Sequence, residues 1–234
     1  MALDLLYRNA GNTTLLDLIC KEPGRVLDCG CGAGDNARLL TGRGWKVTGI
    51  TIDPVERTAA EEFCEVVHLS DLKVGLPFAG DGSYDLVLLS HVLEHLADPT
   101  HLLEEARRVV ADDGLVAVAL PNVLHYSQRV KFLRGEFEYT QTGVMDATHL
   151  RFFTFDSALR LVRGSGLDVV TAMPDGGLPW WRLRNVLSPN TTGSLDRWAT
   201  RLRPNLLCWQ TLLLARPASG RAGGSDPRAA GRSH

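Results

Sequence analysis

The sequence is short of every feature that would tie it to a bilayer, a nucleic acid or a disulfide scaffold. No apolar run approaches the ~20 residues that a membrane-spanning helix requires. The opening MALDLLYRNAGN lacks the basic-then-apolar layout of a secretory signal. Positive charge is not in surplus: 25 Lys and Arg face 27 Asp and Glu, for a formal net charge of -2. No broad basic field is therefore there to gather nucleic acid. The 5 cysteines are an odd count, which argues against a disulfide framework. Cys29 and Cys31 lie too close together, between glycines, to make the spaced pairs of a zinc site. They read as small buried thiols, and the expected compartment is the cytoplasm. What is present is ordinary globular material: 234 residues, 44% hydrophobic and 22% charged, enough for one sizeable core.

That core is organised around VLDCGCGAGDNARLL, residues 26–40. Apolar residues run into Asp28, then Gly30, Gly32 and Gly34 follow at alternate positions, and a helical pattern begins at once. A strand, a glycine turn and a helix start are how doubly wound α/β proteins seat a nucleotide-like ligand. The glycines let the backbone approach where a side chain would collide. Charge then discriminates between ligands. A dinucleotide rests its pyrophosphate on the helix N-terminus, with glycines spaced G-x-G-x-x-G/A. Counted from Gly30, that spacing needs Gly or Ala at position 35, where this chain has Asp. Asp35 would repel phosphate, and Asp28 adds a second negative charge. The pocket suits a cation, and an NAD-type ligand is disfavoured.

Asp28-Cys29-Gly30-Cys31-Gly32-Ala33-Gly34 resembles the first motif of class I S-adenosylmethionine (SAM) dependent methyltransferases. SAM carries a sulfonium and an ammonium and no phosphate, in keeping with the charge argument. The resemblance extends over residues 20–170. It implies SAM as cofactor, with Asp28, Gly30, Cys31 and Gly32 at the first contact. It also implies a Rossmann-like, doubly wound, mostly parallel seven-stranded sheet with helices on both faces. The acid that takes the ribose hydroxyls in such folds should follow the second strand, directly after Gly49-Ile50. Position 51 is Thr, with one hydroxyl in place of a carboxylate. Asp53, on the same side of an extended chain, is the residue expected to take over. Thr51, Ile52 and Asp53 are together assigned to the cofactor.

Strands are expected at 25–29, 46–50, 66–69, 84–89 and 115–120. Helices are expected at 11–21 (capped by Asn12 or Thr13), at 35–41, from Pro54 to residue 64, and at 100–110 behind Asp98-Pro99. Regular alternation of this kind is the signature of a parallel sheet with right-handed crossovers. Ser70-Asp71-Leu72 stands where the family contacts adenine, which assigns Asp71 and Leu72. SYDLVLLSHVLEHLADP is similar to the FD-x-V…H-x-L-E-H-x-x-D-P stretch of small-molecule methyltransferases, and places Ser90, His91 and His95 just past a strand's carboxyl end, where open sheets bind ligands. Glu94 and His95 are adjacent and lack a spaced partner, so no metal is expected. Tyr7 either closes over the cofactor or belongs to a loosely packed N-terminal arm.

Residues 122–154 break the alternation with a helix over 124–134, stopped by Gly135, and a long loop. Loops of that length inside a compact domain are usually functional. The segment resembles a subgroup of class I enzymes associated with sugar, polysaccharide and natural-product pathways. The expected reaction is therefore methylation of a hydroxyl on a small molecule. Chemistry then assigns roles. Methyl transfer gains chiefly from alignment, and a hydroxyl acceptor also needs a base. His149 is the candidate base, with Tyr139 and Arg151 orienting the acceptor. The competing reading makes His149 and Arg151 a structural pair pinning the loop through Asp146. Amine or carboxylate methylation, or SAM binding without transfer, are the alternatives at the level of function.

Further on, a helix over 155–166 capped by Asp156, a strand at 167–172, a helix around SLDRWATRL and a closing strand at 205–215 are expected. Trp180, Trp181, Arg182 and Arg184 mark a helical insertion over 178–204 that lies on a membrane surface, covers the sheet or forms a homodimer face. The whole of 1–215 reads as one domain, and 216–234, poor in large apolar residues, as a disordered tail. Nucleic-acid partners and stable membrane insertion find no support.

Overall fold

The computed structural model describes residues 10–178 and 189–218. Its centre is a seven-stranded sheet ordered β3-β2-β1-β4-β5-β7-β6, formed by β1 (Arg25–Cys29), β2 (Lys46–Thr51), β3 (Val66–Leu69), β4 (Tyr84–Ser90), β5 (Val110–Pro121), β6 (Leu167–Gly176) and β7 (Cys208–Pro217). The first five strands pair in parallel. β7 runs antiparallel between β5 and β6. The doubly wound, mostly parallel seven-stranded sheet that the resemblance implied is the fold.

Side chains alternate across the sheet and divide the core in two. Leu27, Cys29, Val87, Leu89, Val116 and Val118 pack with Leu102, Leu103 and Ala106 of α4 (Pro99–Val109) and with Ala158 and Val162 of α6 (Phe155–Gly164). Val26, Val47, Leu86, Leu88 and Ala117 face Leu15 and Leu16 of α1 (Thr13–Leu16) and Ala37 and Leu40 of α2 (Asp35–Gly42). β4 and β5 are buried on both faces, as near-continuous apolar runs of central parallel strands must be. Each leucine so removed from water contributes roughly 1.5–3 kcal/mol.

Several boundaries differ from the sequence reading, each for a local reason. α1 is only Thr13–Leu16, capped by the Asn12 side chain accepting from the Leu15 amide. α3 (Pro54–Ala60) stops short of residue 64, with a turn in place of its last stretch. The strand expected at 115–120 begins earlier, because Asp112-Asp113-Gly114 is absorbed into β5, with a register shift against β4. α6 is capped by Thr154, not Asp156: Thr154 and Ser157 form a reciprocal capping box. Asp156 instead accepts from Asn205 Nδ2 at 2.6 Å. Residues 204–207 are helical, α8 (Pro204–Leu207), because Pro204 suits a first helical turn and lacks a donor for a ladder. α5 (Tyr126–Leu133) and α7 (Pro189–Leu202) complete the set. Tyr7, Trp180, Trp181, Arg182, Arg184 and the segment 219–234 lie outside the described residues. No helix among the described residues is long and apolar enough to cross a membrane.

Candidate functional site

β1 and β4 are neighbours while the chain runs outward from β1 through β2 to β3, so the topology reverses between them. Open α/β sheets form a crevice at that point, outside the carboxyl ends of the strands. Three turns meet there: the glycine turn after β1, the segment after β2, and residues 91–95 after β4. Val92 joins two of them. A Cβ built on Gly30 would lie 2.6 Å from Val92 Cγ2, so only glycine, at φ 74°, lets the turns close on each other.

Asp28, one residue before the buried end of β1 at Cys29, is itself 1% exposed. Neither of its carboxylate oxygens has a hydrogen-bond partner. Burial pushes its pKa up from 3.8 to about 7. An orphaned buried carboxylate at the head of a crevice calls for a cationic ligand, and SAM, with an ammonium and a sulfonium, fits that demand. The glycine turn leaves room for it: a Cβ on Gly32 would meet only Glu56 Oε1, at 3.9 Å. Cys31 is the small buried thiol expected from the sequence. Its side chain is buried with Ala60 and Val67 beside Cys64, and its amide is held by the Ile50 carbonyl at 2.8 Å. Its thiol pKa is raised by the contact with Cys64 and by burial.

The segment after β2 presents two carboxylates, Asp53 and Glu56. Asp53, expected to take the ribose hydroxyls, uses its Oδ1 to cap α3, accepting from the Val55 amide at 2.6 Å and from the Glu56 amide at 3.3 Å. Glu56 is a further carboxylate at this edge that the sequence reading did not single out. Its Oε2 accepts from the buried Thr51 hydroxyl at 2.7 Å while Oε1 looks towards Gly32. Pro54 starts the helix and puts Glu56 in its first turn, so the pattern Asp53-x-x-Glu56 was the available signal. Ile52 is 67% exposed beside this pair, an apolar surface at the rim. Across β3, Asp71 caps a short 3₁₀ turn through the Lys73 amide at 2.9 Å, and Leu72 packs partly into the core.

After β4 the chain makes a strained bend. His91 has φ 57°, the one described non-glycine residue with positive φ. Its Nε2 donates to Gln210 Oε1 at 3.0 Å, and Gln210 donates in turn to Asp175 Oδ2 at 2.6 Å. Its Nδ1 is 3.3 Å from Glu94 Oε1, an ion-pair distance outside hydrogen-bond alignment. Desolvation lowers the His91 pKa, but Glu94 and Gln210 outweigh it and raise it on balance. Ser90 joins the same edge, its Oγ 3.4 Å from Asn12 Nδ2.

The long loop returns onto this bend. The amides of Leu150 and Arg151 donate to the Glu94 carbonyl at 2.8 and 3.0 Å. Arg151 donates through Nε and NH2 to the Ala97 carbonyl at 3.1 and 2.6 Å. Thr148 bonds both Asp146 and His95. These clamps set His149 against His95, ring centroids 4.8 Å apart and edge to face. His149 Nδ1 donates to the Val144 carbonyl at 3.1 Å. Glu94, His95 and His149 each present a metal-ligating atom within 4.8 Å of the other two, so the expected lack of a spaced partner does not hold. Tyr139 stands apart on the loop, 57% exposed, against Phe137.

Comparison with known proteins identifies the domain and the fold. A family model described as a methyltransferase domain matches residues 2–172. A ubiquinone biosynthesis O-methyltransferase from Caulobacter sp. (strain K31) is 29% identical over 152 residues, covering 62% of this chain and 60% of that protein. A malonyl-acyl-carrier-protein O-methyltransferase from Geobacter sulfurreducens is 30% identical over 150 residues, covering 62% of this chain and 56% of that protein. The chain thus spans only 60% and 56% of these two curated relatives. Among solved structures, a SAM-dependent methyltransferase from Archaeoglobus fulgidus superposes with a TM-score of 0.63 at 22% identity, covering 87% of this chain and 91% of that one. That likeness shows the fold.

Proposed function

Since the chain belongs to the methyltransferase-domain family, with SAM as its cofactor, we propose that it methylates a hydroxyl group of a small molecule. The observation that carries the reading is the meeting of two structures at one sheet edge. The crevice holds the unpartnered carboxylate of Asp28, and the long loop is clamped beside it with His149 in place. Asp28, the Gly30–Gly32 backbone, Thr51 with Glu56, Ile52, Asp71, Leu72, Ser90 and His91 would hold the cofactor. When bound, SAM supplies a methyl group already activated by its sulfonium.

What the protein adds is position and a path for the proton. A hydroxyl must lose its proton as it is methylated, and a positioned base typically contributes about 10²–10⁴-fold. A carbonyl can only accept, so Nδ1 of His149 carries the ring proton and Nε2 carries the lone pair. Arg151 is engaged with the Ala97 carbonyl and acts on the acceptor through the loop it holds. Tyr139, exposed on the same loop, would orient the acceptor. Two of the most similar curated relatives are named as O-methyltransferases, which supports oxygen as the atom methylated.

The test is transfer from methyl-labelled SAM into a small-molecule extract, with the products sorted by chemistry. An ether product withstands mild alkali, an ester does not, and an N-methyl product remains basic. Label in alkali-stable, non-basic products is the expected result. Label confined to esters or amines would contradict oxygen methylation of a hydroxyl.

A further inference from the structure

The Glu94, His95 and His149 cluster has the chemistry of an ion site. Glu94 is fully buried and Oε2 of its carboxylate has no partner, which is costly unless something positive meets it. Oε1 has only the misaligned contact with His91 Nδ1 at 3.3 Å. Both histidines are fixed as ligands are. His149 donates from Nδ1 to the Val144 carbonyl. His95 Nδ1 is 3.0 Å from Thr148 Oγ1 and 3.3 Å from the Thr148 carbonyl. Carbonyls only accept, so both rings are protonated on Nδ1 and keep their lone pairs on Nε2. The Thr148 hydroxyl donates to Asp146 Oδ1 at 2.6 Å, which leaves its oxygen free to accept from His95. A backbone carbonyl or carboxylate relay behind each imidazole is the outer shell that metal-binding histidines carry.

We infer that Glu94, His95 and His149 bind one divalent transition-metal ion, and that the acceptor hydroxyl coordinates it in a remaining position. Two imidazoles and one carboxylate favour the zinc, manganese and cobalt class over magnesium or calcium, which prefer all-oxygen sites. In a tetrahedral zinc site the ligand atoms lie about 3.4 Å apart. Those here lie within 4.8 Å of one another, so side-chain movements of little more than an ångström close the site. His95 and His149 are only partly buried, which leaves the site partly exposed. Coordination lowers the pKa of the bound hydroxyl. The O–H bond breaks with its electron pair left on oxygen and its proton passed to water. His149 then lends its lone pair to the ion in place of acting as a free base.

The chemical role rests on the hydroxyl-methylation reading; the site itself does not, and the test keeps them apart. Full-length protein stripped with chelator is titrated calorimetrically with Zn²⁺, Mn²⁺ and Co²⁺, in parallel with Glu94→Gln and His149→Ala. Wild type should take up one equivalent of at least one of these ions. Each variant should bind that ion at least tenfold more weakly, with SAM affinity changed less than threefold and unfolding midpoints preserved. If wild type binds none of the ions stoichiometrically, or both variants bind like wild type, the site is refuted whatever the methyl-transfer assay shows. Chelation should also abolish transfer and restored ion recover it, whereas a free His149 base would leave transfer intact in chelator.

Discussion

Burial holds the Asp28 carboxyl near neutrality, at about 7 against an ordinary 3.8, and two consequences can be measured. Folding favours the protonated form, so the contribution of Asp28 to stability is fully present below pH 3.8 and is lost as pH rises through about 7. The full difference is on the order of 4 kcal/mol by linkage, and Asp28→Asn should remove it. Urea unfolding of both proteins between about pH 5 and 8 should show the variant gaining on wild type as pH rises. A cationic ligand favours the ionised form, so SAM should bind more tightly as pH rises through the same range and release a proton on binding. Calorimetry in buffers of different ionisation enthalpy reads that proton directly. The other informative residue is Glu56. Its place beside Thr51 was hidden in the sequence because it lies in the first turn of the next helix, where Asp53 looked like the better candidate. Glu56→Ala should weaken SAM binding by about tenfold, the effect of losing about 1.4 kcal/mol, whereas Asp53→Asn should leave it within about twofold because an asparagine also caps a helix.

At the scale of elements, β1 to β5 were legible because their signals are local: apolar runs between glycine and proline punctuation. The site around the long loop was not. Glu94 and His95 stand 55 and 54 residues ahead of His149, as their numbering shows, and nothing in spacing or periodicity says that the loop returns to them. That proximity is made by tertiary hydrogen bonds, chiefly those of the Leu150 and Arg151 amides to the Glu94 carbonyl and of Arg151 to Ala97. Arg151→Ala should therefore loosen the return of the loop while leaving the sheet intact. Exchange of the Leu150 and Arg151-position amides should accelerate by about tenfold, with amides of β4 and β5 unchanged. Unchanged protection at position 150 would show that the guanidinium does not hold the loop.

For the whole molecule, the parallel sheet supplies both the stability and the crevice. Leu88, fully buried on β4 next to the strand that carries Asp28, should cost about 2–5 kcal/mol when replaced by alanine, read from denaturant midpoints. The order β3-β2-β1-β4-β5 places the switch point beside Asp28, and the late antiparallel β7 carries Gln210 to His91 at the same edge. The charge argument that set Asp28 and Asp35 against phosphate is thus a statement about the whole crevice. Calorimetric titration of the full chain at neutral pH with SAM, and separately with NAD⁺, tests it most directly. One SAM should bind per chain, with release of about half a proton that Asp28→Asn abolishes and no detectable binding of NAD⁺. Binding of NAD⁺ in place of SAM, or SAM binding that Asp28→Asn leaves unchanged in both affinity and proton release, would contradict it.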